Sequence, residues 1–459
     1  MNATSIPPDA DVIEEPPLRT PVTGEFDVCV IGGSCTGVFA AVQAARMGAS
    51  VALVEAQGLW GGVATAGLVN IWHSLFDTTH TRRIIGGLTQ DVVDRLLTRG
   101  AAAINEANPS AYARLNSAEL VCELDALIRE HPTIRPFLHT RFVRPLVRDG
   151  RVTEAIVEDK TGRRAIRATL FIDASGDGDL LAGAGFDTDT RDDLQPPTVC
   201  AILAGVDAVA AADPSFALAA AVCDPAHPKA LPAGFVWSSP IPGLPGLRMI
   251  AGTRVSGADC SDADQLTAAE MEGRRQARAM RDILAERPGG EAVALAQVAS
   301  YIGIRETRHA RCLYRLTERD LLTGVHFDDA IANGSYRVDV HHSDKPGLTF
   351  RYLDGREIYV VPGRPSVEGR WRESIDADPT FYQIPYRSLV PRGAVNVLAT
   401  GRLIDADRGA YGAVRVMVNC NQTGQAAGAA AALAIRNGCG VGDVDARDIR
   451  GAMGAGFKS

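Results

Sequence analysis

The sequence lacks several features that would assign it to a well-known class of protein. It has nine cysteines but no C-x-x-C pair, which removes the redox-active dithiol expected of a disulfide reductase. It has no H-E-x-x-H motif and no Cys/His spacing typical of a metal site, so no metal is predicted. It also has no run of about 18 apolar residues, so no segment is expected to span a membrane.

Basic charge and targeting signals are scarce as well. The net charge of −8 over 459 residues gives no reason to expect nucleic acid or an acidic membrane surface as a partner. Residues 1–23 have neither the basic region nor the apolar region of a secretory signal. They are proline-rich and acidic, which predicts a flexible tail. The odd number of isolated cysteines favours a reducing cytoplasm as the location.

The length of the chain and the change in its pattern of strand and helix signals predict an α/β protein with two domains. Alternating strand and helix patterns occupy residues 24–190 and return at 381–440. Longer loops, prolines and aromatic residues replace that alternation over 191–380. We therefore expect a Rossmann-like domain made of the two outer segments, an inserted α+β substrate domain at 191–380, and a C-terminal tail at 441–459.

A glycine-rich loop at residues 30–37, VIGGSCTG, can be compared with two templates. A nucleophile elbow needs G-x-S-x-G, and Thr36 stands where the closing glycine belongs, so this template fails. The dinucleotide template G-x-G-x-x-G fits at Gly32 and Gly37 and differs only at Ser34. Serine is the smallest side chain that adds a hydroxyl donor, so we interpret Ser34 as a tolerated phosphate contact.

Elements of the expected type surround this loop. The run 26–31 predicts a buried parallel strand, residues 37–48 predict a helix, and 50–55 predicts a second strand. Glu55 lies 23 positions after Gly32, close to the ~20 at which an acid accepts from ribose hydroxyls. The order strand, loop, helix, strand and acid predicts one bound dinucleotide, and the acid argues against a 2′-phosphate.

Six stretches spread over roughly residues 26–435 carry a family resemblance. They read FDVCVIGGSCTG…ALVE, LWGGVATAGLVN, FIDASGDGDLLAGAG, IGIRETRHARCLYRLTERDLLTG, IPYRSLVPRGAVNVLATGR and GAYGAVRVMVNCNQTGQAAGAAAA. Together they resemble FAD-dependent oxidoreductases of the glutathione-reductase-like superfamily. More narrowly, they resemble thiazole-biosynthesis-like and fumarate-reductase-like flavoproteins. The resemblance implies FAD as the cofactor.

The resemblance also implies which residues bind FAD. The helix over 415–435 is expected to direct its positive N-terminal end at the flavin, which favours hydride acceptance. The implied set comprises Gly32, Gly33, Ser34, Cys35, Thr36 and Gly37 at the pyrophosphate, Glu55 and Ala56 at the adenosine ribose, Gly61, Gly62, Ala64 and Thr65 toward the flavin, Phe142 at the adenine, Ala174, Ser175, Gly176 and Asp177 beside the nucleotide, and Gly401, Arg402, Arg415, Val416 and Met417 along the isoalloxazine.

Two candidates for the chemistry come from short motifs in the inserted segment. If YRVDVHH is a strand, Asp339 and His341 share a face, and His341 is either a general base or a core histidine satisfied by Asp339. Within GIRETR, Arg305 either clamps a substrate carboxylate or forms a structural pair with Glu306.

Two further candidates lie close to the expected flavin segments. His73 follows the flavin loop, and it faces the ring, tethers the flavin covalently, or belongs to a surface loop. Tyr411 precedes the last long helix, and it either donates to a developing oxyanion or only packs.

These residues predict an FAD-dependent dehydrogenase that acts on a small organic substrate by hydride transfer to flavin N5. The alternatives are a flavin monooxygenase, a protein that holds FAD for structure or non-redox chemistry, and an NAD-only dehydrogenase. The residues identify neither the substrate nor the electron acceptor, and they leave a homo-oligomeric state open.

Overall fold

The computed structural model describes residues 11–104 and 112–457. The strands are β1 (Val22–Ile31), β2 (Val51–Val54), β3 (Ile71–Trp72), β4 (Ala102–Ile104), β5 (Ala113–Leu115), β6 (Ile134–Phe137), β7 (Arg141–Arg148), β8 (Arg151–Asp159), β9 (Gly162–Asp173), β10 (Thr188–Thr190), β11 (Ala201–Ala204), β12 (Trp237–Ile241), β13 (Leu244–Ala251), β14 (Ala294–Val298), β15 (Arg308–Ala310), β16 (Ala330–Gly334), β17 (Val338–His341), β18 (Leu348–Arg351), β19 (Arg356–Val360), β20 (Val367–Arg370), β21 (Tyr382–Pro385) and β22 (Val397–Ala399). The α-helices are α1 (Cys35–Arg46), α2 (Gly87–Thr98), α3 (Ser117–Arg129), α4 (Asp179–Ala184), α5 (Val206–Ala212), α6 (Leu218–Val222), α7 (Ala263–Ala285), α8 (Glu318–Leu322), α9 (Arg408–Val414), α10 (Met417–Asn437) and α11 (Ala446–Met453).

The largest sheet has seven strands and carries the dinucleotide loop at its centre. Its order is β6-β2-β1-β9-β8-β7, with β22 beside β9. Strands β6, β2, β1, β9 and β22 are parallel, and β8 and β7 extend the sheet as an antiparallel meander. Since β22 follows the inserted segment in sequence, the two outer segments of the chain share one sheet. The predicted α/β, Rossmann-like fold is confirmed.

Strand β1 is buried on both of its faces, which explains why its apolar run is continuous rather than alternating. Val28 and Val30 belong to the core cluster that also contains α1 and α10. Cys29 and Ile31 point the other way, into a second cluster with β8, β9 and α4. The C-terminal end of β1 therefore holds the loop that follows it in a rigid position.

Helices α1 and α10 pack closely enough that only glycine fits at two positions of α10. A Cβ at Gly424 would overlap the backbone carbonyl of Thr36, and a Cβ at Gly428 would overlap that of Ala40. The many alanine and glycine residues of α10 suit this close packing. The contact brings the N-terminus of α10 next to that of α1.

The inserted segment is built from antiparallel pieces, as an α+β substrate region requires. One four-stranded sheet has the order β12-β13-β11-β14 and shares a hydrophobic cluster with α7. A second four-stranded sheet runs β17-β18-β19-β20. Strand β17 carries Asp339 and His341, and β18 carries Phe350, and all three line the cavity described below.

Helix α7 begins one turn earlier than its sequence pattern predicts. The sequence pattern Thr267-x-x-Glu270 predicts a capping box at this helix start, but the N-cap is Asp262, whose side chain accepts from the Gln265 N–H at 2.9 Å. Asp262 is the N-cap in place of Thr267 because the helix starts earlier and the Asp262 carboxylate reaches the free N–H groups of its first turn. Glu270 instead accepts from the Ile302 N–H at 2.7 Å and fixes a loop at the cavity.

The segment expected to be a C-terminal tail is packed structure over most of its described length. Helix α11 lies within it, and Ile449 is fully buried in the cluster that contains α10. The sequence signal was weak because α11 has only one short apolar face. The domain boundaries themselves stay a prediction, and residues 1–10 of the N-terminal tail and 458–459 of the C-terminal one lie outside the described residues.

Candidate functional site

The dinucleotide loop leaves β1 through a glycine that no other residue can replace without strain. Gly32 has a φ of 103°, and a Cβ there would overlap the backbone of Ala174. The Gly33 N–H donates to Oε2 of Glu55 at 2.7 Å, which ties the loop to the end of β2. A Cβ at Gly37 would overlap the carbonyl oxygen of Gly32. The loop is therefore held open by three glycines.

The start of α1 offers hydrogen-bond donors that the protein itself does not use. Helix α1 begins at Cys35 with Ser34 as its N-cap, and the Ser34 side chain makes no capping hydrogen bond. The free N–H groups and the dipole of a helix N-terminus attract a phosphate group. A pyrophosphate fits this end of the cavity, with Gly32 and Ser34 against it.

Glu55 combines two backbone contacts with a position on the cavity wall. Its Oε1 accepts from the Gln57 N–H at 2.8 Å, and its Oε2 accepts from Gly33. Each carboxylate oxygen keeps a second lone-pair direction for a ribose hydroxyl. Burial raises the pKa of Glu55 above its usual value, and the backbone N–H groups oppose that rise.

A cavity of about 1010 Å³ connects this loop with the inserted segment. Its wall contains parts of the loop, the segment after β2, the turn after β9 and the start of α10. It also contains residues from β12, β17 and β18. One continuous space therefore joins the predicted nucleotide site to the predicted substrate region. We call the part beside the glycine loop the nucleotide end and the part beside β12, β17 and β18 the substrate end.

The turn after β22 lies between the nucleotide end and the substrate end of this cavity. Nη2 of Arg402 donates to Oδ1 of Asp177 at 2.6 Å, and Nη1 donates to the Thr307 hydroxyl at 3.0 Å. Helix α10 starts next to this turn, and its N-cap Val416 offers no side-chain cap. The uncapped N–H groups of α10 fit the electron-rich edge of a flavin.

Asp339 is the centre of the polar network at the substrate end. Its Oδ2 accepts from the Tyr336 hydroxyl at 2.9 Å and lies 3.6 Å from Nη2 of Arg415. Its Oδ1 lies 3.3 Å from Nε2 of His341. Burial disfavours the charge of Asp339, but His341, Arg415 and Arg337 outweigh it and hold the pKa well below the usual value.

His341 lines the cavity, its Nδ1 contacts Arg254, and its Nε2 lies within ion-pair distance of Asp339. Nη2 of Arg254, which is a donor only, lies 2.9 Å from Nδ1. The Nδ1 atom is therefore the acceptor, which places the proton on Nε2, facing Asp339. In this arrangement His341 has no free nitrogen for a substrate proton.

Arg305 lines the cavity and does not form the pair with Glu306 that was the alternative for it. Glu306 instead contacts Arg191 at 3.1 Å and His309 at 2.9 Å. Nη1 of Arg305 donates to the Pro196 carbonyl at 2.5 Å and to the Thr198 hydroxyl. Burial, and then the charges of nearby arginines, lower the pKa of Arg305 well below its usual value.

The remaining two candidates occupy different places. His73 lies on the cavity wall, with its ring centroid 4.0 Å from that of Tyr336. Neither ring nitrogen of His73 has a hydrogen-bond partner among the described residues. Tyr411 is fully buried outside the cavity wall, and its hydroxyl donates to the Arg305 carbonyl at 2.5 Å. In this position Tyr411 supports Arg305 and does not face a substrate.

The buried imidazoles predict a pH-dependent stability. Burial lowers the pKa of His73 to about 3, and burial lowers that of His341 well below its usual value despite Asp339. In the unfolded chain both rings titrate near pH ~6.5. From about pH 6.5 down to about pH 3, the unfolded chain therefore binds more protons than the folded one, and stability falls as the pH falls.

We expect the unfolding temperature of the holoenzyme to drop between about pH 7 and about pH 5, and to drop less in His341→Gln. The glutamine removes one titrating ring but keeps an amide that can donate to Asp339. Differential scanning fluorimetry of both proteins at the two pH values measures the difference. An equal drop in the two proteins would contradict the assignment of a neutral His341.

Most of the predicted cofactor residues line this one cavity. They are Gly32, Ser34, Cys35, Thr36, Glu55, Ala56, Gly61, Gly62, Phe142, Ala174, Ser175, Gly176, Asp177, Gly401, Arg402, Arg415, Val416 and Met417.

The other predicted cofactor residues support the wall from behind. Gly33 and Gly37 shape the loop, as described above. The Thr65 hydroxyl donates to the Trp60 carbonyl at 2.6 Å, and the Ala64 carbonyl accepts from Ser117 at 2.7 Å. These two residues fix the segment before β3, because their polar groups are already used within the protein.

Sequence reasoning missed several cavity residues at the substrate end. Arg337 shares the alternation of Asp339 and His341, so strand periodicity could have found it. Tyr336 precedes β17 and is out of step with the alternating positions 337, 339 and 341, so periodicity could not have found it. Phe235 and Phe350 come from other segments, and nothing local in the sequence marks them.

The described residues contain neither a metal-binding cluster nor a helix that could cross a membrane. No group of three or more His, Cys, Asp and Glu side chains there is arranged to hold a metal ion. No helix there combines the length and the apolar character that a membrane crossing needs.

Comparison with solved structures gives distant likenesses. A geranylgeranyl bacteriochlorophyll reductase-like protein from Thermoplasma acidophilum aligns over 93% of this chain and 82% of its own, with 13% identity and a TM-score of 0.47. A p-nitrophenol 4-monooxygenase from Pseudomonas putida aligns over 95% of this chain and 90% of its own, with 11% identity and a TM-score of 0.44. These low scores carry no information about substrate or reaction.

The family comparison is decisive, whereas no curated protein matches the chain. The family model described as FAD dependent oxidoreductase matches residues 27–453, nearly the whole chain. The match covers the glycine loop, the inserted segment and α10. The chain therefore belongs to the family of FAD-dependent oxidoreductases and is an enzyme with FAD as its cofactor.

Proposed function

We propose that this enzyme dehydrogenates a small organic substrate by hydride transfer to flavin N5. When bound, FAD supplies the hydride acceptor. The chain has to bind and orient the substrate and to take up a proton as the hydride leaves. The narrower likeness to glutathione-reductase-like, thiazole-biosynthesis-like and fumarate-reductase-like flavoproteins is part of this proposal.

The observation that carries the proposal is an unengaged, neutral imidazole in the shared cavity. His73 is the predicted base candidate whose ring nitrogens have no partner among the described residues. Burial lowers its pKa to about 3, and the charges of Arg337 and Arg415 help to lower it. The ring is therefore neutral at neutral pH and has a free lone pair for the proton of a hydroxyl or amine, but a pKa this low opposes the transfer until a bound substrate raises it.

Positive charge at the same end of the cavity favours this reaction. Arg415 and the N-terminus of α10 stabilise negative charge that develops beside them. An anionic group on the substrate would also weaken the effect of Arg337 on His73 and raise the pKa of the ring. In this proposal, His341 positions Asp339 and Arg254 rather than accepting the proton.

The test is an anaerobic screen of small metabolites against the oxidised holoenzyme. We expect one class of substrate to bleach the flavin absorption band without any pyridine nucleotide. A monooxygenase would keep the band with its substrate alone and lose it only when a separate reductant is added. If dithionite bleaches the band but no metabolite or reduced pyridine nucleotide does, a structural or non-redox role for FAD replaces the proposal.

A further inference from the structure

Five residues form a compartment at the substrate end of the cavity. We call it the aromatic–arginine chamber, and it consists of Phe235, Arg305, Tyr336, Arg337 and Phe350. All five line the same cavity. The predicted clamp Arg305 is one member. Phe350 lies on β18, Phe235 precedes β12, and Tyr336 and Arg337 precede β17.

Arg305 is held in place by one nitrogen and leaves the rest of its fork unused. Nη1 donates to Pro196 at 2.5 Å and to the Thr198 hydroxyl at 2.6 Å. Its Nη2 and Nε have no hydrogen-bond partner among the described residues, and no carboxylate lies within ion-pair distance. A planar fork with two free donors matches a carboxylate, which accepts two parallel hydrogen bonds.

Arg254 connects this fork to the aromatic part of the chamber. Its Nη1 donates to the same Thr198 hydroxyl at 3.0 Å, and its Nη2 donates to the Phe235 carbonyl at 3.0 Å. Unlike Arg305, Arg254 does not line the cavity, and both of its Nη atoms make contacts within the protein. Three successive hydrogen bonds therefore connect Arg305 to the backbone of Phe235, by way of Thr198 and Arg254.

The aromatic part of the chamber is ordered by ring contacts. Phe235 and Phe350 pack edge to face, with centroids 5.9 Å apart. The guanidinium of Arg337 lies 3.8 Å from the centroid of Phe350 and 5.2 Å from that of Tyr336. Strand register pairs Phe350 with Asp339, which fixes these rings beside the polar network. The chamber therefore combines aromatic rings with guanidinium groups, and Arg337 stacks on the ring of Phe350.

The charges around the chamber do not balance. Arg305 and Arg337 belong to it and Arg415 lines the same cavity, whereas Asp339 is the carboxylate in contact with this network. Both histidines are neutral, so they add no charge. Buried positive charge without a counter-ion is costly, and a bound anion would offset that cost.

We propose that the aromatic–arginine chamber binds an organic carboxylic acid whose body is aromatic or otherwise apolar. The carboxylate lies on the free fork of Arg305, and the body packs against Phe235, Tyr336 and Phe350. This inference rests on the proposed function only in taking the bound acid to be the substrate. It commits the enzyme to acids with a ring-sized apolar part, rather than to small polar acids or neutral compounds.

The test measures ligand binding and needs no turnover. Benzoate, acetate and benzamide are titrated into the oxidised holoenzyme, and the shift of the flavin absorption bands is recorded. We expect a saturable shift with benzoate. Acetate and benzamide should each bind at least roughly 10-fold more weakly than benzoate, because acetate lacks the ring and benzamide lacks the carboxylate. Equal affinity for benzamide would overturn the role of the fork, and equal affinity for acetate would overturn the role of the rings. Absence of a shift with benzoate would overturn the proposal.

A pair of arginine variants locates the binding site. In Arg305→Met, benzoate should bind roughly 10- to 100-fold more weakly, because a bidentate charge-assisted contact is lost while much of the volume is kept. Arg364→Met removes an exposed arginine outside the cavity and should bind benzoate like the wild type. Unchanged binding in Arg305→Met would contradict the proposal.

The wild-type titration keeps the test valid if Arg305→Met does not fold. Failure of the chamber and failure of the proposed function can be told apart. If a neutral substrate bleaches the flavin but benzoate causes no shift, the proposed dehydrogenase function is supported and the proposal of a carboxylic acid ligand is wrong.

Discussion

Gly32→Ala is expected to purify with at least ~10-fold less FAD per chain than the wild type. The backbone at Gly32 has a φ of 103°, where an L side chain is strained by about 1–2 kcal/mol. The added methyl would also overlap the backbone of Ala174, so the loop must move away from the position that admits a pyrophosphate. The absorbance of flavin released by denaturation, divided by the protein concentration, gives the occupancy.

Two control variants separate the loop from general effects of substitution. Gly48→Ala carries a similar strain, since Gly48 has a φ of 94°, but its Cβ would meet nothing within 4 Å, and it lies at the far end of α1. Ser34→Gly restores the usual glycine of the template. Both variants should keep their FAD. Full occupancy in Gly32→Ala, or loss of FAD in Ser34→Gly, would show that the loop works differently.

His73→Ala is expected to keep FAD but to slow anaerobic flavin reduction by ~10²–10⁴-fold, the usual contribution of a positioned general base. Stopped-flow absorbance with the substrate found by the screen measures this rate. Added imidazole should restore part of it in the variant, because the vacated space opens into the cavity. The structural reason is that His73 has free ring nitrogens, whereas those of His341 contact Arg254 and Asp339.

Two outcomes would reassign the role of His73. If His341→Ala is slowed to the same extent and regains rate with imidazole, while His73→Ala reacts normally, His341 carries the proton. His342→Ala is the matched control, because His342 points away from the cavity and its Nε2 lies 2.8 Å from the Thr349 hydroxyl. If acid-denatured protein retains its flavin in the wild type but not in His73→Ala, His73 is a covalent tether instead.

The nucleotide end of the site could be predicted from the sequence because its signals are local. Gly32, Ser34 and Gly37 follow one strand directly, and Glu55 ends the next. Parallel strands and a short loop leave few ways to arrange these residues. Helix α10 could also be predicted from the local sequence, because its many small residues indicate a buried helix. The loop residues and the start of α10 accordingly line one cavity.

The substrate end could be predicted only in part, because its contacts join distant segments. Alternation correctly placed Asp339 and His341 on one face. It could not show that Arg254, 87 positions away, occupies the second ring nitrogen of His341. The partner of Glu306 was missed for the same reason, since Arg191 lies 115 positions away. Such pairs depend on how the inserted sheets pack, and single-sequence periodicity contains no information about that packing.

The glycine contact between α1 and α10 has a consequence for synthesis. The two helices whose first turns line the cavity are synthesised about 370 residues apart, because α1 ends at Arg46 and α10 starts at Met417. A ribosome-bound chain that has completed the first strands and the glycine loop still lacks β22 and α10, which complete the cavity wall. The apolar faces that α10 covers therefore stay exposed until α10 has been made.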